Sequence, residues 1–183
     1  MNGFSSLVRA NRIIQNCWIV RDVEESAAKW NKVFGVGPFY LFRDVQVEDL
    51  LYRGKPAGLC FDVAIAQAGD IQIELITQTS DGPSAYRDLV AEGQEGFHHV
   101  GIFAENYVAE LAEYDRQGFD RVNEGRVGDM RYAYIDTSPA LGFMVELLEE
   151  NASMRKLFAQ IADASKSWDG HRPLRPIEEL AVV

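Results

Sequence analysis

Two stretches of this chain carry one pattern. Residues 14–30, IQNCWIVRDVEESAAKW, match residues 98–114, HHVGIFAENYVAELAEY, at an offset of 84. Each opens with an apolar, strand-like run. Each then places an acid or amide, Asp22 or Asn106, where a helix N-cap belongs. A helical stretch follows in both, with an aromatic residue, Trp30 or Tyr114, at the matching place. A second pair, IQIELIT (71–77) and FMVELLE (143–149), repeats at an offset of 72, so the first half holds twelve extra residues between its matched strands. A duplicated unit of this length restricts the chain to folds in which two similar halves share a core.

Between the matched segments each half reads as further strands. FYLFRDV (39–45) and AGLCFDVAIAQ (57–67) serve the first half, DRVNEGRV (120–127) and MRYAYID (130–136) the second. GVGP (35–38), AGD (68–70) and the GD pair (128–129) punctuate them as turns. The order is β-α-β-β-β twice, an α+β architecture. This divides the chain into a first module over 11–79, a linker with a short helix near Ser84 to Val90 over 80–96, and a second module over 97–149. A C-terminal segment over 150–183 completes it, with an amphipathic helix from about Asn151 to Ser167 and a Pro-containing tail that packs on a neighbouring surface.

Period-two alternation turns the repeat into a question of chemistry. In IQIELIT, Gln72, Glu74 and Ile76 share one face; in FMVELLE, Met144, Glu146 and Leu148 do. Each half therefore sends one glutamate from the middle of an otherwise apolar strand. A buried, unpaired carboxylate is expensive, and two at equivalent positions call for a shared cation. His98 and His99 stand at the head of the second module, and the third histidine, His171, lies in the tail. Alternation aims His98 away from His99, so His99 is the candidate ligand and His98 its packed neighbour. Each candidate also fits a plainer role: His99 as a hydrogen-bonded core residue, the glutamates on an exposed strand face.

Composition excludes several partners. Eighteen basic against 28 acidic residues give a net charge of −10, which repels a phosphate backbone, so no nucleic-acid partner is expected. No apolar run reaches the roughly 20 residues of a membrane span, and MNGFSSLVRANR has no secretory apolar segment, so no membrane partner and cytoplasmic residence are expected. Cys17 and Cys60 sit in apolar runs without CxxC spacing and read as two buried thiols.

The two β-α-β-β-β modules, with HHVGI opening the second and a glutamate–leucine pair closing both, resemble the vicinal-oxygen-chelate superfamily over residues 11 to 149. That superfamily includes glyoxalase I, methylmalonyl-CoA epimerase, extradiol dioxygenases and bleomycin-binding proteins. NKVFGVGPFYLFRDV, IQIELI and GFHHVGIF are most similar to its glyoxalase-like branch near methylmalonyl-CoA epimerase. The resemblance implies a curved, cup-like mixed sheet with flanking helices, and metal ligands from the first and last strand of each module. Carried onto this chain, those ligands are Gln15, Glu74, His99 and Glu146, holding one divalent ion: zinc, nickel, cobalt, manganese or magnesium. Gln15 stands where many members have histidine; a glutamine at that place is seen in some zinc-dependent glyoxalase I enzymes. Extradiol dioxygenases need two histidines and a carboxylate around iron, so that chemistry is disfavoured.

The activity implied is a metal-dependent isomerase, epimerase or lyase that moves a proton next to a chelated carbonyl of a small molecule. Glu146 and Asp62 are the candidate bases; Phe39, Tyr40, Tyr52 and Arg53 are candidate substrate contacts, the last two in the loop YRGKP (52–56). The resemblance also implies a homodimer. The alternative is a metal-free small-molecule-binding protein on the same fold, similar to the bleomycin-resistance proteins.

Overall fold

A computed structural model describes residues 13–182; the N-terminal stretch and the start of the first module at residue 11 lie outside the described residues. Strand β1 (Ile13–Ile19) leads into helix α1 (Val23–Phe34). The Asp22 carboxylate accepts the amides of Glu24 and Glu25 and starts α1; Gly35, in the left-handed region at φ 67, ends it. Then follow β2 (Phe39–Gln46), β3 (Glu48–Tyr52), β4 (Lys55–Pro56), β5 (Cys60–Ala68) and β6 (Ile71–Gln78). A short helix, α2 (Ala85–Leu89), starts on the Ser84 hydroxyl and leads to the second half. There follow β7 (Gly96–Ala104), α3 (Tyr107–Arg116), β8 (Arg121–Val127), β9 (Met130–Ile135), α4 (Ser138–Leu141) and β10 (Met144–Glu149), the same order without a counterpart of β3 and β4 and with α4 added. Helix α5 (Ala152–Lys166), capped by Asn151, and strand β11 (Leu174–Pro176) follow. No helix among the described residues is long and apolar enough to cross a membrane.

All strands join one sheet in the order β11-β2-β5-β6-β1-β7-β10-β9-β8-β3-β4. The opening and closing strands of each half pair in parallel, β1 with β6 and β7 with β10. β1 and β7 pair antiparallel, so the two halves meet within one chain at the centre of the sheet. The strands that carry the matched segments are thus its four central ones.

The twelve extra residues of the first half explain the curvature. Strand β3 follows β2 through Val47 alone, yet it pairs with β8 at the far end of the sheet. Eight strand steps laid flat span about 38 Å, whereas that link reaches about 7 Å. The sheet must therefore curl until its ends meet. Gly125 on β8 permits the close approach, since a side-chain carbon there would lie 2.5 Å from Val47 Cγ1. The YRGKP stretch is the tight turn of the β3–β4 hairpin, with Arg53 and Gly54 both at positive φ and Tyr52 paired with Lys55. The tail packs on its own chain, where β11 extends the edge beside β2.

Alternation sorts the side chains into two layers. On the outer face, Val23 and Ala27 of α1 pack on Ile73 and Leu75, and Leu111 of α3 on Val145 and Leu147. The inner face holds Ile65, Ile76, Met144 and Leu148, and α5 adds Ile161, which is 1 % exposed. Helix α5 thereby closes over the cup.

Candidate metal centre

The four central strands bring Glu74, His99 and Glu146 to one point inside the cup. His99 Nε2 lies 3.3 Å from Glu74 Oε2 and 3.3 Å from Glu146 Oε2. Gln15 lines the same cavity as the two glutamates, pairs across the seam with Gly101 and reaches Gln72 at 3.4 Å. A side-chain carbon at position 101 would lie 3.1 Å from both Cβ and Oε1 of Gln15, so the glycine leaves the space Gln15 occupies.

Two β-bulges set this geometry. Along β1 and β7 the register slips between Ile13 and Gln15 and between Cys17 and Trp18, which leaves Ile14 and His98 as the extra residues. They occupy equivalent places, each just before a candidate ligand. Alternation alone aims His98 away from His99; the bulge instead brings the two rings together, with their Nδ1 atoms 2.9 Å apart.

That contact decides where the protons sit. His98 Nε2 lies 2.8 Å from the Ala85 carbonyl oxygen, which can only accept, so Nε2–H donates. Burial, together with the neighbouring His99, holds the His98 pKa down to about 3, so its ring is neutral and its Nδ1 must accept. His99 therefore donates from Nδ1, and its Nε2 is left facing the two carboxylates. A bare lone pair there is repelled by both. Nε2 needs either a proton or a metal ion, and neither it nor Glu74 Oε2 has a hydrogen-bond partner. Burial by itself lowers the His99 pKa, but Glu146 and Glu74 outweigh burial and push it up to about 9. Burial also raises the Glu146 carboxyl, which the His99 ring opposes.

The donor set fits a divalent ion. One imidazole nitrogen, two carboxylates and an amide oxygen are the ligand types that zinc, nickel, cobalt and manganese accept, and two carboxylates balance the charge. The structure adds Cys17, opposite His99 on β1. Its sulfur, a Glu74 oxygen and a His99 nitrogen lie within 4.8 Å of one another. Burial raises the Cys17 thiol well above its ordinary value, and the Glu74 carboxylate raises it further, so it stays protonated. Alternation from Gln15 places Cys17 on this face; its apolar surroundings had suggested only packing.

Five other candidates lie elsewhere. Asp62 points to the outer face, between inward-facing Phe61 and Val63, and does not reach the cavity. It accepts the Asp44 amide at 2.9 Å and pairs with Arg43 at 2.6 Å, which pins a bulge where Asp44 takes φ 50. Its placement offers no route to a base. Phe39 packs on the outer side against Ala64 and Leu75. Tyr40 faces inward but opens on a separate hollow beside Trp168 and Arg175. Tyr52 and Arg53 both bind Asp88, at 2.7 Å each, and are engaged there. The walls the sequence reading missed are Phe42, Phe61, Tyr132, Tyr134, Leu157 and Phe158. Alternation could have found Phe61 once the inner face was known; the α5 residues depend on where that helix docks.

Comparison with known proteins agrees with this architecture. The model of the Glyoxalase/Bleomycin resistance protein/Dioxygenase superfamily matches residues 14–134. No curated protein sequence matches the chain. Among solved structures, a hypothetical protein from Bacillus halodurans C-125 aligns with a TM-score of 0.56 at 18% identity, covering 78% of this chain and 96% of that one. Methylmalonyl-CoA epimerase in complex with methylmalonyl-CoA and ammonium gives 0.54 at 18% identity, with 78% and 96% covered. A single-residue variant of Streptomyces coelicolor methylmalonyl-CoA epimerase, in complex with 2-nitronate-propionyl-CoA, gives 0.54 at 19% identity, with 77% and 95% covered. At such identities the structural likeness speaks for the fold, while the family match spans well over half of the sequence. The chain therefore belongs to the glyoxalase, bleomycin-resistance protein and dioxygenase superfamily.

Proposed function

We infer that the protein is a divalent-metal-dependent isomerase, epimerase or lyase that transfers a proton next to the carbonyl of a small molecule. One observation carries this reading: His99 Nε2 lies 3.3 Å from each of two buried carboxylates yet has no hydrogen-bond partner. Gln15, Glu74, His99 and Glu146 would hold the ion. When bound, it supplies Lewis acidity that withdraws charge from a carbonyl oxygen and makes the adjacent C–H acidic. Glu146 takes that proton, because its carboxyl lies in the cavity and burial raises its proton affinity. The electron pair left on carbon delocalises toward the carbonyl oxygen, and returning the proton to a different position or face completes an isomerisation or epimerisation. His98 keeps the His99 ring in the tautomer that presents Nε2.

All the proposed ligands come from one chain, so the centre needs no residue from a second copy. A metal-free binding protein is the second reading. It is favoured by the His99 pKa of about 9, since a protonated ring at neutral pH offsets part of the charge of the two glutamates.

Calorimetric titration of chelator-stripped protein with zinc separates the two. The expected result is one site, weakened by Glu74→Gln and by Glu146→Gln. In deuterated water, the zinc-loaded protein should exchange the α-protons of hydroxyacetone, and Glu146→Gln should slow this by about 10²–10⁴-fold. A protein that takes up none of zinc, nickel, cobalt, manganese and magnesium, or whose exchange ignores Glu146→Gln, overturns the enzymatic reading.

A further inference from the structure

The walls of the central cavity specify the charge and shape of its occupant. The cavity holds about 120 Å³ and is partly open to solvent. Its polar lining consists of Gln15, Glu74, Glu146 and tyrosine hydroxyls; neither lysine nor arginine is among the described lining residues. Everything else is apolar, with Phe42, Phe61, Val63 and Ile65 on the sheet side and Met154, Leu157 and Phe158 on α5.

Helix α5 is a fastened roof. Asn151 caps it by accepting the Met154 amide at 2.8 Å, and the Asn151 and Ser153 side chains both bond Asp129 in the β8–β9 turn. Phe158 packs on Phe103 of β7 with ring centroids 4.9 Å apart, and Ile161 is buried one turn further on.

Two glutamates and a divalent cation sum to zero charge. A substrate carboxylate or phosphate entering this space would be a buried charge with no cation left to pair it, whereas a ketone oxygen carries no such penalty.

We propose that the substrate is a small, uncharged ketone or aldehyde with an aromatic or branched apolar body, and that α5 is the element that selects it. This rests on the metal-centre reading and narrows its substrate class.

A matched pair of probes tests it. 1-Phenyl-1,2-propanedione and benzoylformate share a phenyl ring and two adjacent carbonyl-type oxygens, but only the second is an anion. Free metal ions favour the anion, so a reversed preference reports on the cavity. Calorimetry on the zinc-loaded protein should show the dione binding at least ~10-fold more tightly than benzoylformate, with propionyl-CoA failing to compete. Phe158→Ala should keep its zinc and gain affinity for benzil, which adds a second ring. The proposal is overturned if benzoylformate or propionyl-CoA binds as tightly as the dione, or if the dione does not bind. An unchanged benzil affinity in Phe158→Ala overturns the role given to α5. The two readings fail separately. Dione binding that survives zinc removal sinks the metal centre and leaves the apolar cavity standing; tight zinc with an indifferent choice of probe does the reverse.

Discussion

Raising the pH of the metal-free protein from 6.5 to 9 probes the arrangement around His99 directly. In the folded chain the His99 pKa is pushed from its ordinary 6.5 up to about 9. A pKa raised by folding contributes stability that is fully present below the unfolded value and disappears as pH climbs through the folded one. At about 1.4 kcal/mol per pH unit, the His99 proton is worth on the order of 3 kcal/mol below pH 6.5, and that is lost by about pH 9. For a domain of this size, 1 kcal/mol moves the melting temperature by roughly 2–4 °C, so the fall should be about 6–12 °C. The raised Glu146 carboxyl adds a decline of the same sign. His98 acts oppositely: held down to about 3, it costs stability as pH falls below 6.5. Metal-free stability should therefore fall as the pH rises above 6.5. Urea unfolding in chelator across this range measures the alkaline arm. His99→Gln should remove its steep part, and saturating zinc should remove it in the native chain, because the ion then holds the place of the proton. A flat native profile between pH 6.5 and 9, or an undiminished slope in His99→Gln, would refute the assignment of Nε2 as the atom between the carboxylates.

Two further outcomes follow from individual contacts. His98→Phe should fold, since its neighbours Tyr86 and Tyr134 already pack edge-on at 5.4 and 5.5 Å, but loss of the hydrogen bond to His99 should weaken zinc binding by about 10–100-fold in calorimetry. Asp62→Ala should lower unfolding free energy by about 1–3 kcal/mol by freeing the Asp44 amide, while zinc affinity stays unchanged; a loss of zinc would place Asp62 at the site after all.

Much of this architecture was legible because it rests on local pattern. The 84-residue repeat identified the two modules, and the resemblance to the superfamily picked out four strands that prove to be the central ones. Helix starts were equally readable: Asp22 and Asn106 each cap a helix, as their side chains predict. The substrate contacts were not readable. Phe39, Tyr52 and Arg53 have the right chemistry for a pocket, but the pairing of β2 with β5 and β11 turns Phe39 outward, and Asp88 of α2 engages the other two.

By itself the sequence determined which residues share a face, because a strand has period two and a helix 3.6. It thereby set Glu74 beside Ile76, and Glu146 beside Leu148, opposite the residues that meet α1 and α3. Only the tertiary structure decided which face became the inside, where β3 crosses to β8 and curls the sheet, and how the bulge at His98 turns two neighbouring rings toward each other. Those outcomes depend on partners far apart in the chain, and alternation carries no information about which strand will lie beside which.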